Sequence, residues 1–321
     1  MRGCDLCKYS SIYFDMKYTL LTMMFAITGV MGTTAQKVPQ VINVISRKAV
    51  SLNGQWHYIV DQQEEGYYDY RMNPIDWGFM RNAKPERPED LIEYDFDAAP
   101  TMTVPGDWNT QDEHLFFYEG TVWLQRYFDY WPQGDRRALL YFGAVNYDCH
   151  VWVNGRKAGH HVGGFTPFNF DVTDLLHEGK NFVVVKVDNK RQASAVPTQI
   201  FDWWNYGGIT RDVLLLSVAP TYVENYSLQL GKAVKNKKHF IDFTLSLNRK
   251  EAGHEVTLSI PELKLKQMFI TDAEGCVNAE IKIQDSKLSL WSPECPRLYR
   301  VEVTMDGGVP GESLPREPCH A

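Results

Sequence analysis

The stretch Phe201–Val213 has the sequence FDWWNYGGITRDV, and it determines how the rest of the chain is interpreted. Its first half places two adjacent tryptophans, a tyrosine, an asparagine and an aspartate close together. The pair Gly207-Gly208 then allows a sharp backbone turn before an apolar strand. Flat rings beside hydrogen-bonding side chains suit the apolar face and the hydroxyls of a sugar ring, but aromatic residues also plug the ends of β-sandwiches. Taken alone, the stretch leaves both interpretations open.

The segment from Asp202 to Val213 resembles the signature that closes the N-terminal domain of family 2 glycoside hydrolases, the β-glucuronidase and β-galactosidase group. Five other runs resemble the same family in the same order and extend the resemblance over most of Leu52 to Thr304. These runs are Gly120–Phe128 (GTVWLQRYF), Val151–Gly155 (VWVNG), Gly163–Leu176 (GGFTPFNFDVTDLL), Val187–Asn189 (VDN) and Leu290–Tyr299 (LWSPECPRLY). The resemblance implies an all-β chain, in which a jelly-roll, galactose-binding-like sandwich precedes an immunoglobulin-like sandwich that is incomplete.

The resemblance also implies a set of substrate-binding residues. Some family members extend an aspartate from the jelly roll to touch the substrate sugar, and Asp202 occupies that position. Trp203, Asn205 and Tyr206 would then frame the contact. Arg211 and Asp212 are expected to be structural and to pair where the next strand begins.

No catalytic residue is expected in this chain. Members of the family supply both catalytic glutamates from a TIM barrel, with an asparagine before the acid/base, and no Asn-Glu dipeptide occurs in the sequence. The expected function is therefore that of an N-terminal fragment of a β-glucuronidase-like enzyme, inactive alone, whose partner is a glycoside or glycan. A stand-alone carbohydrate-binding module or an interaction module is the alternative. The run after Thr304 favours the fragment, because its prolines and glycines leave no final strand.

Length, composition and charge indicate a globular chain. The 321 residues, 44% hydrophobic and 13% aromatic, are enough for two domains with buried cores. A formal net charge of -7 without a long basic run argues against a nucleic-acid partner. We expect a jelly roll over residues 36–220, an immunoglobulin-like sandwich over 221–305 and an irregular tail over 306–321.

Strand patterns recur along both predicted domains. Asn154-Gly155, between two apolar runs, predicts a type I′ hairpin. Phe182–Val187 is almost wholly apolar, as expected of a strand covered on both faces. The proline-containing segment Gln62–Trp108 is predicted to be mostly loop. An edge strand is predicted at Leu298–Val303, which would allow a homo-oligomer to form.

The first 35 residues are interpreted as an N-terminal extension and signal peptide. From Met16, one lysine, an apolar run over Leu20–Val30 and small residues before Gln36 have the layout of a secretory signal. The apolar run is too short for a stable membrane span. The expected location is therefore periplasmic or secreted.

No cofactor and no metal are expected. Cys4-x-x-Cys7 lacks a second pair at zinc-like spacing. His160 and His161 are interpreted as turn histidines, because neighbouring strands offer no evident carboxylate or cysteine at ligand spacing. Cys149 is expected to be a buried thiol, and Trp203 and Trp204 are expected to be mostly buried.

Overall fold

The regular secondary structure of the described chain is almost entirely antiparallel β-strand, as expected. The computed structural model describes residues 40–87, 89–90, 94–231, 239–283 and 288–306. The proposed signal peptide, Cys4-x-x-Cys7 and nearly all of the tail lie outside these residues. Within the described part of the chain, no helix combines the length and apolar character that a membrane crossing requires.

The described residues of the first sandwich form twelve strands, joined by short helical turns that include Trp108–Gln111. The strands are β1 (Lys48–Ser51), β2 (Gly54–Asp61), β3 (Thr101–Val104), β4 (Thr121–Tyr130), β5 (Arg137–Phe142), β6 (Val145–Asn146), β7 (Asp148–Val153), β8 (Arg156–Val162), β9 (Phe168–Asp171), β10 (Gly179–Asp188), β11 (Gly208–Ile209) and β12 (Val213–Val218).

Two sheets of this sandwich enclose the main core. One has the strand order β1-β12-β5-β9 and the other β3-β2-β4-β10-β7-β8. Trp56, Leu124 and Val185 from the larger sheet pack in one buried cluster with Leu140 and Phe142 from the smaller sheet. Strand β11 pairs with β6 in a separate two-stranded sheet. This pairing fixes the end of the loop Phe201–Gly208, called the signature loop below, to the sandwich.

The outer face of the six-stranded sheet has a second apolar cluster, formed with the segment between β2 and β3. Phe79 and Phe96 of that segment pack on Trp123 and Trp152 of the sheet. Val184 belongs to this cluster while its neighbours in β10 face the main core, which confirms that the strand is covered on both faces. The described part of Gln62–Trp108 is mostly loop, as predicted, and it includes β3 and a helical turn at Phe79–Arg81.

Asp61, at the end of β2, anchors the covering segment. Its carboxylate accepts hydrogen bonds from Trp123 Nε1 at 2.9 Å and from the backbone nitrogens of Glu65 and Gly66, both at 3.0 Å. The side chain is only 4% exposed, so these three donors replace the water that the charge loses on burial. The segment is therefore attached at its start by a charged, fully buried contact.

The predicted hairpin is confirmed. Asn154 and Gly155 connect β7 to β8 with φ values of 52° and 75°, the left-handed backbone that a type I′ turn requires. The Asn154 side chain also donates to Asn181 Oδ1 at 2.7 Å, which ties the turn to the start of β10. Cys149, in β7, is a buried free thiol, as predicted.

The second sandwich is smaller and has its own core, which includes Phe243, Val256, Leu258, Val301 and Val303. Its strands are β13 (Val223–Leu230), β14 (Phe240–Leu247), β15 (Glu255–Ile260), β16 (Leu265–Ile270), β17 (Cys276–Lys282) and β18 (Glu302–Met305), arranged as β13-β14-β17 and β16-β15-β18. Its last described strand begins at Glu302, later than the predicted Leu298–Val303, and before it only Arg300 forms an isolated bridge.

Candidate functional site

Two glycines set the path of the signature loop at the end of the jelly roll. A β-carbon on Gly207 would lie 2.0 Å from the Trp108 ring, and the Gly207 nitrogen donates to Asn109 Oδ1 at 2.9 Å. Gly208 has a φ of +138°, and a β-carbon there would lie 2.7 Å from the carbonyl oxygen of Gly106. The backbone therefore turns sharply at this pair, as predicted, and only glycine fits at both positions without displacing a neighbour.

Asn205 holds the loop to the residue that follows β10. Its side-chain nitrogen donates to the Asn189 carbonyl, and the Asn189 side chain donates back to the Asn205 carbonyl at 2.8 Å. Asn146 donates to Asn205 Oδ1 at 3.3 Å. Both ends of the half-buried Asn205 amide are therefore engaged in positioning the loop.

The other three predicted substrate-binding residues face solvent. Asp202 is exposed and forms no hydrogen bond with the described residues, while Trp203 and Tyr206 are 59% and 47% exposed. The Trp203 ring stacks on Phe201 with 5.1 Å between centroids. An aromatic plane and a carboxylate thus lie beside each other on a loop whose base is rigid, an arrangement able to contact both the face and the hydroxyls of a sugar.

The expectation that both tryptophans are mostly buried is wrong. Trp204 is half-buried and packs on Phe116 and Phe117, with ring centroids 4.7 and 5.3 Å away. Its Nε1 donates to the Phe116 carbonyl at 3.1 Å. Since Trp204 fills this apolar site, the adjacent Trp203 is directed outward.

A cavity of about 130 Å³ lies beside the loop. Arg191 lines it, with Nε 2.8 Å from Glu119 Oε1 and its guanidinium 4.1 Å from the Phe201 ring centroid. The sequence interpretation missed this ion pair, although Arg191 comes two residues after the Val187–Asn189 motif. The lining residues are Asn109, Phe117, Glu119, Arg191, Trp204 and Asn205.

Arg211 and Asp212 do not pair with each other, contrary to the expectation. Arg211 donates to the Phe165 carbonyl at 3.4 Å, and Asp212 Oδ1 accepts from Asn53 Nδ2 at 2.8 Å. No ion pair joins the two side chains within the described chain. Each instead attaches the start of β12 to a different neighbouring segment.

The interpretation of His160 and His161 as turn residues is also wrong. Both lie within β8, and Asp148 Oδ1 on the neighbouring strand is 2.8 Å from His160 Nε2. The carboxylate is distant along the chain and reaches the histidine only through the register of the hairpin, so spacing in the sequence did not indicate it. His161 points to the other side, where its ring stacks on Phe168 at 4.1 Å.

Comparison with family models matches both sandwiches. Residues 49–219 match the model described as "Glycosyl hydrolases family 2, sugar binding domain". Residues 221–314 match the model described as "Glycosyl hydrolases family 2".

Curated relatives include β-glucuronidases. A putative β-glucuronidase of Formosa agariphila is 32% identical over 178 residues, which cover 52% of this chain and 20% of that protein. The β-glucuronidase of Canis lupus familiaris is 27% identical over 301 residues, covering 81% of this chain and 42% of that protein. The chain thus spans less than half the length of either relative.

Solved structures show the same fold. A β-glucuronidase from an uncultured Clostridium species aligns with a TM-score of 0.62 and 26% identity, over 84% of this chain and 44% of that chain. The Bifidobacterium dentium β-glucuronidase complexed with coumarin-3-O-glucuronide aligns with a TM-score of 0.65 and 22% identity, over 82% and 46%.

Proposed function

The chain belongs to glycoside hydrolase family 2, and from this membership we propose that it supplies the sugar-binding part of a β-glucuronidase-like enzyme that hydrolyses O-glycosyl bonds. The observation that carries the proposal is the signature loop, which presents Asp202, Trp203 and Tyr206 to solvent from a fixed base. The Trp203 ring would lie against the apolar face of a sugar, and the Asp202 carboxylate would accept hydrogen bonds from its hydroxyls. Asn205 acts as a positioning residue for both.

We further propose that the chain does not hydrolyse glycosides alone. Retaining hydrolysis needs two carboxyl groups about 5 Å apart, one as nucleophile and one as acid and then base. The family resemblance assigns both to a barrel, and the two family models matched here account for sugar binding and the second sandwich. The loop would then form one wall of a substrate site whose chemistry lies elsewhere.

The test is hydrolysis of p-nitrophenyl glucuronide and p-nitrophenyl galactoside by the purified chain from Gln36 onward. We expect release of nitrophenol at the rate of buffer alone. Hydrolysis above that rate, abolished by Asp202→Asn with the fold retained, would show that the chain carries its own chemistry and would overturn the proposal.

The exposure of Trp203 supports a second candidate, a carbohydrate-binding module that acts without a barrel. Calorimetry with oligosaccharides separates the two candidates. One aromatic face offers too little contact to offset the freedom that a sugar loses on binding, so we expect weak binding at best. Micromolar binding that is lost in Trp203→Ala and kept in Trp131→Ala, an exposed tryptophan outside the loop, would favour the second candidate instead.

We also propose that the chain is exported, on the basis of the signal-like layout from Met16 to Ala35. The expected outcome is a mature N-terminus near Gln36 in the periplasmic or extracellular fraction. N-terminal sequencing of the fractionated protein measures this, and an intact Met1 or Met16 in the cytoplasm would contradict it.

A further inference from the structure

We propose that Asp148, His150 and His160 form a zinc-binding site on the outer face of the six-stranded sheet. The residues lie on adjacent strands of the β7–β8 hairpin. His150 is directly opposite His160 in the register, and Asp148 precedes His150 by two positions and so faces the same side. Strand pairing therefore brings the three side chains together without any long loop.

The three side chains lie close together, with the His150 and His160 rings stacked at 4.1 Å between centroids. Asp148 Oδ1 lies 2.8 Å from His160 Nε2 and 3.7 Å from His150 Nε2. The possible ligand atoms all lie within 4.8 Å of one another. Ligand atoms bound tetrahedrally to zinc at about 2.0–2.1 Å are roughly 3.3 Å apart, close to the distances found here. Binding would replace the hydrogen bond between Asp148 and His160 and turn the stacked imidazoles so that both Nε2 atoms face the ion.

The surroundings of His150 suit a metal ligand. Its side chain is 13% exposed, its Nδ1 is buried without a hydrogen-bond partner among the described residues, and its Nε2 lies 3.7 Å from Asp148 Oδ1, too far for a hydrogen bond. A metal at Nε2 would give this nitrogen the partner that Asp148 does not provide.

The site is open on one side. Exposure rises from 13% at His150 to 27% at Asp148 and 42% at His160, which gives an ion a path from solvent. Three protein ligands with an open fourth position for water form a common zinc arrangement, and two imidazoles with one carboxylate suit zinc better than calcium or magnesium.

Two lysines place positive charge near the proposed zinc ion. Lys186 on β10 is opposite His150, but its ammonium lies 3.7 Å from Glu64 Oε2. Lys157 donates to the Tyr67 hydroxyl at 3.0 Å. Glu64 also pairs with Lys190, so its carboxylate is shared between two ammonium groups, and Asp148 supplies the negative charge in direct contact with the proposed ion.

Zinc bound at this site would link the edge strand β8 to its neighbour β7. Strand β8 is the last strand of the six-stranded order and is held only by β7 within that sheet. An ion bound by Asp148 and His150 on β7 and by His160 on β8 would resist opening of this pair. Binding to the folded state alone raises stability by mass action, so zinc should raise the melting temperature.

The experiment titrates the metal-free full chain with Zn²⁺ by calorimetry and by melting followed with circular dichroism. Every sample carries Cys4→Ser and Cys7→Ser, so that the N-terminal thiols do not contribute. The variants are His160→Ala and Asp148→Asn, and His161→Ala is the matched control because its ring points to the opposite face. Co²⁺ provides a second readout, since tetrahedral coordination gives visible absorption.

We expect one Zn²⁺ at this site in the parent protein, with a raised melting temperature. The exposed His160→Ala and the isosteric Asp148→Asn should each weaken binding by about 100-fold or more, whereas His161→Ala should retain it. Absence of binding, or equal affinity in all variants, would overturn the proposal and leave the cluster as a hydrogen-bonded Asp–His pair with a stacked second histidine.

Discussion

Gly208 shows at the scale of one residue why the signature loop needs its glycine pair. Its φ of +138° is a conformation that side chains rarely adopt, and the Gly106 carbonyl lies 2.7 Å from where a β-carbon would be. A substitution therefore meets both an unfavourable backbone angle and an immovable backbone atom.

We predict that Gly208→Ala destabilises the jelly roll by about 2–4 kcal/mol, the sum of backbone strain and overpacking. Gly179→Ala is the control, because Gly179 also has a positive φ, of +88°, but nothing lies within 4 Å of its added carbon. Urea unfolding measures both. Equal losses in the two variants would show that the contact with Gly106 costs nothing.

The sequence named Asp202, Trp203 and Tyr206 as candidate sugar contacts only through the family resemblance, and that role stays a prediction. All three side chains face solvent, whereas Trp203 was predicted to be mostly buried. Which of two adjacent tryptophans turns inward depends on Phe116 and Phe117, more than eighty residues earlier in the chain. Such a contact leaves no local pattern.

At the scale of elements, local patterns predicted strands and turns well, and cross-strand contacts poorly. The Asn154-Gly155 hairpin follows from backbone preferences of two residues and is confirmed. The neighbours of His160 depend instead on the register between β7 and β8, which places Asp148 within hydrogen-bonding distance. Twelve residues separate the two in sequence, so inspection of nearby positions gave the wrong interpretation.

One cross-strand contact has a pH dependence. His254 precedes β15, and its Nδ1 lies 2.6 Å from Oδ2 of Asp306, which follows β18. Its Nε2 lies 3.2 Å from Glu251 Oε2. The hydrogen bond with Asp306, aided by Glu251 and opposed by partial burial, raises the pKa of His254 above its usual 6.5.

A raised pKa in the folded state means that the folded protein holds this proton more tightly than the unfolded chain. The contact therefore contributes fully below about pH 6.5, and its contribution is lost as pH rises through the folded-state pKa. We predict that the second sandwich loses stability over this range and that His254→Gln removes most of the loss. Denaturant midpoints measured against pH test this, with the exposed His177→Gln as control. A pH profile unchanged by His254→Gln would contradict it.

At the scale of the whole described molecule, hydrogen bonds between side chains and backbone groups connect the two sandwiches. Arg47 donates from one guanidinium nitrogen to the Val223 carbonyl at 2.6 Å and from another to the Ile42 carbonyl at 3.2 Å. Asn248 binds the Tyr222 nitrogen at 2.8 Å and the Pro220 carbonyl at 3.0 Å. These contacts span the connection between the two cores, so the second sandwich is held by directed hydrogen bonds as well as by the chain itself.

We predict that the chain self-associates through the edge strands of the second sandwich, β16 and β18. Within the described residues, β18 and β16 each pair with β15 alone. Strand β16 also exposes Met268 and Ile270, at 58% and 54%. Unpaired backbone groups beside exposed apolar side chains favour pairing with a strand of a second copy, and Lys266 is a weak barrier to it.

We therefore expect the mass of the chain in light scattering to increase with concentration and the double variant Met268→Lys/Ile270→Lys to lower it. Val196→Lys/Ile200→Lys is the matched control, because it adds the same charge at exposed apolar positions in a loop that belongs to no sheet edge. If both double variants reduce association equally, general charge repulsion is the cause and not strand pairing. A parent chain that stays monomeric at every concentration would contradict the prediction. It would show that strand twist and Lys266 are enough to protect this edge from pairing.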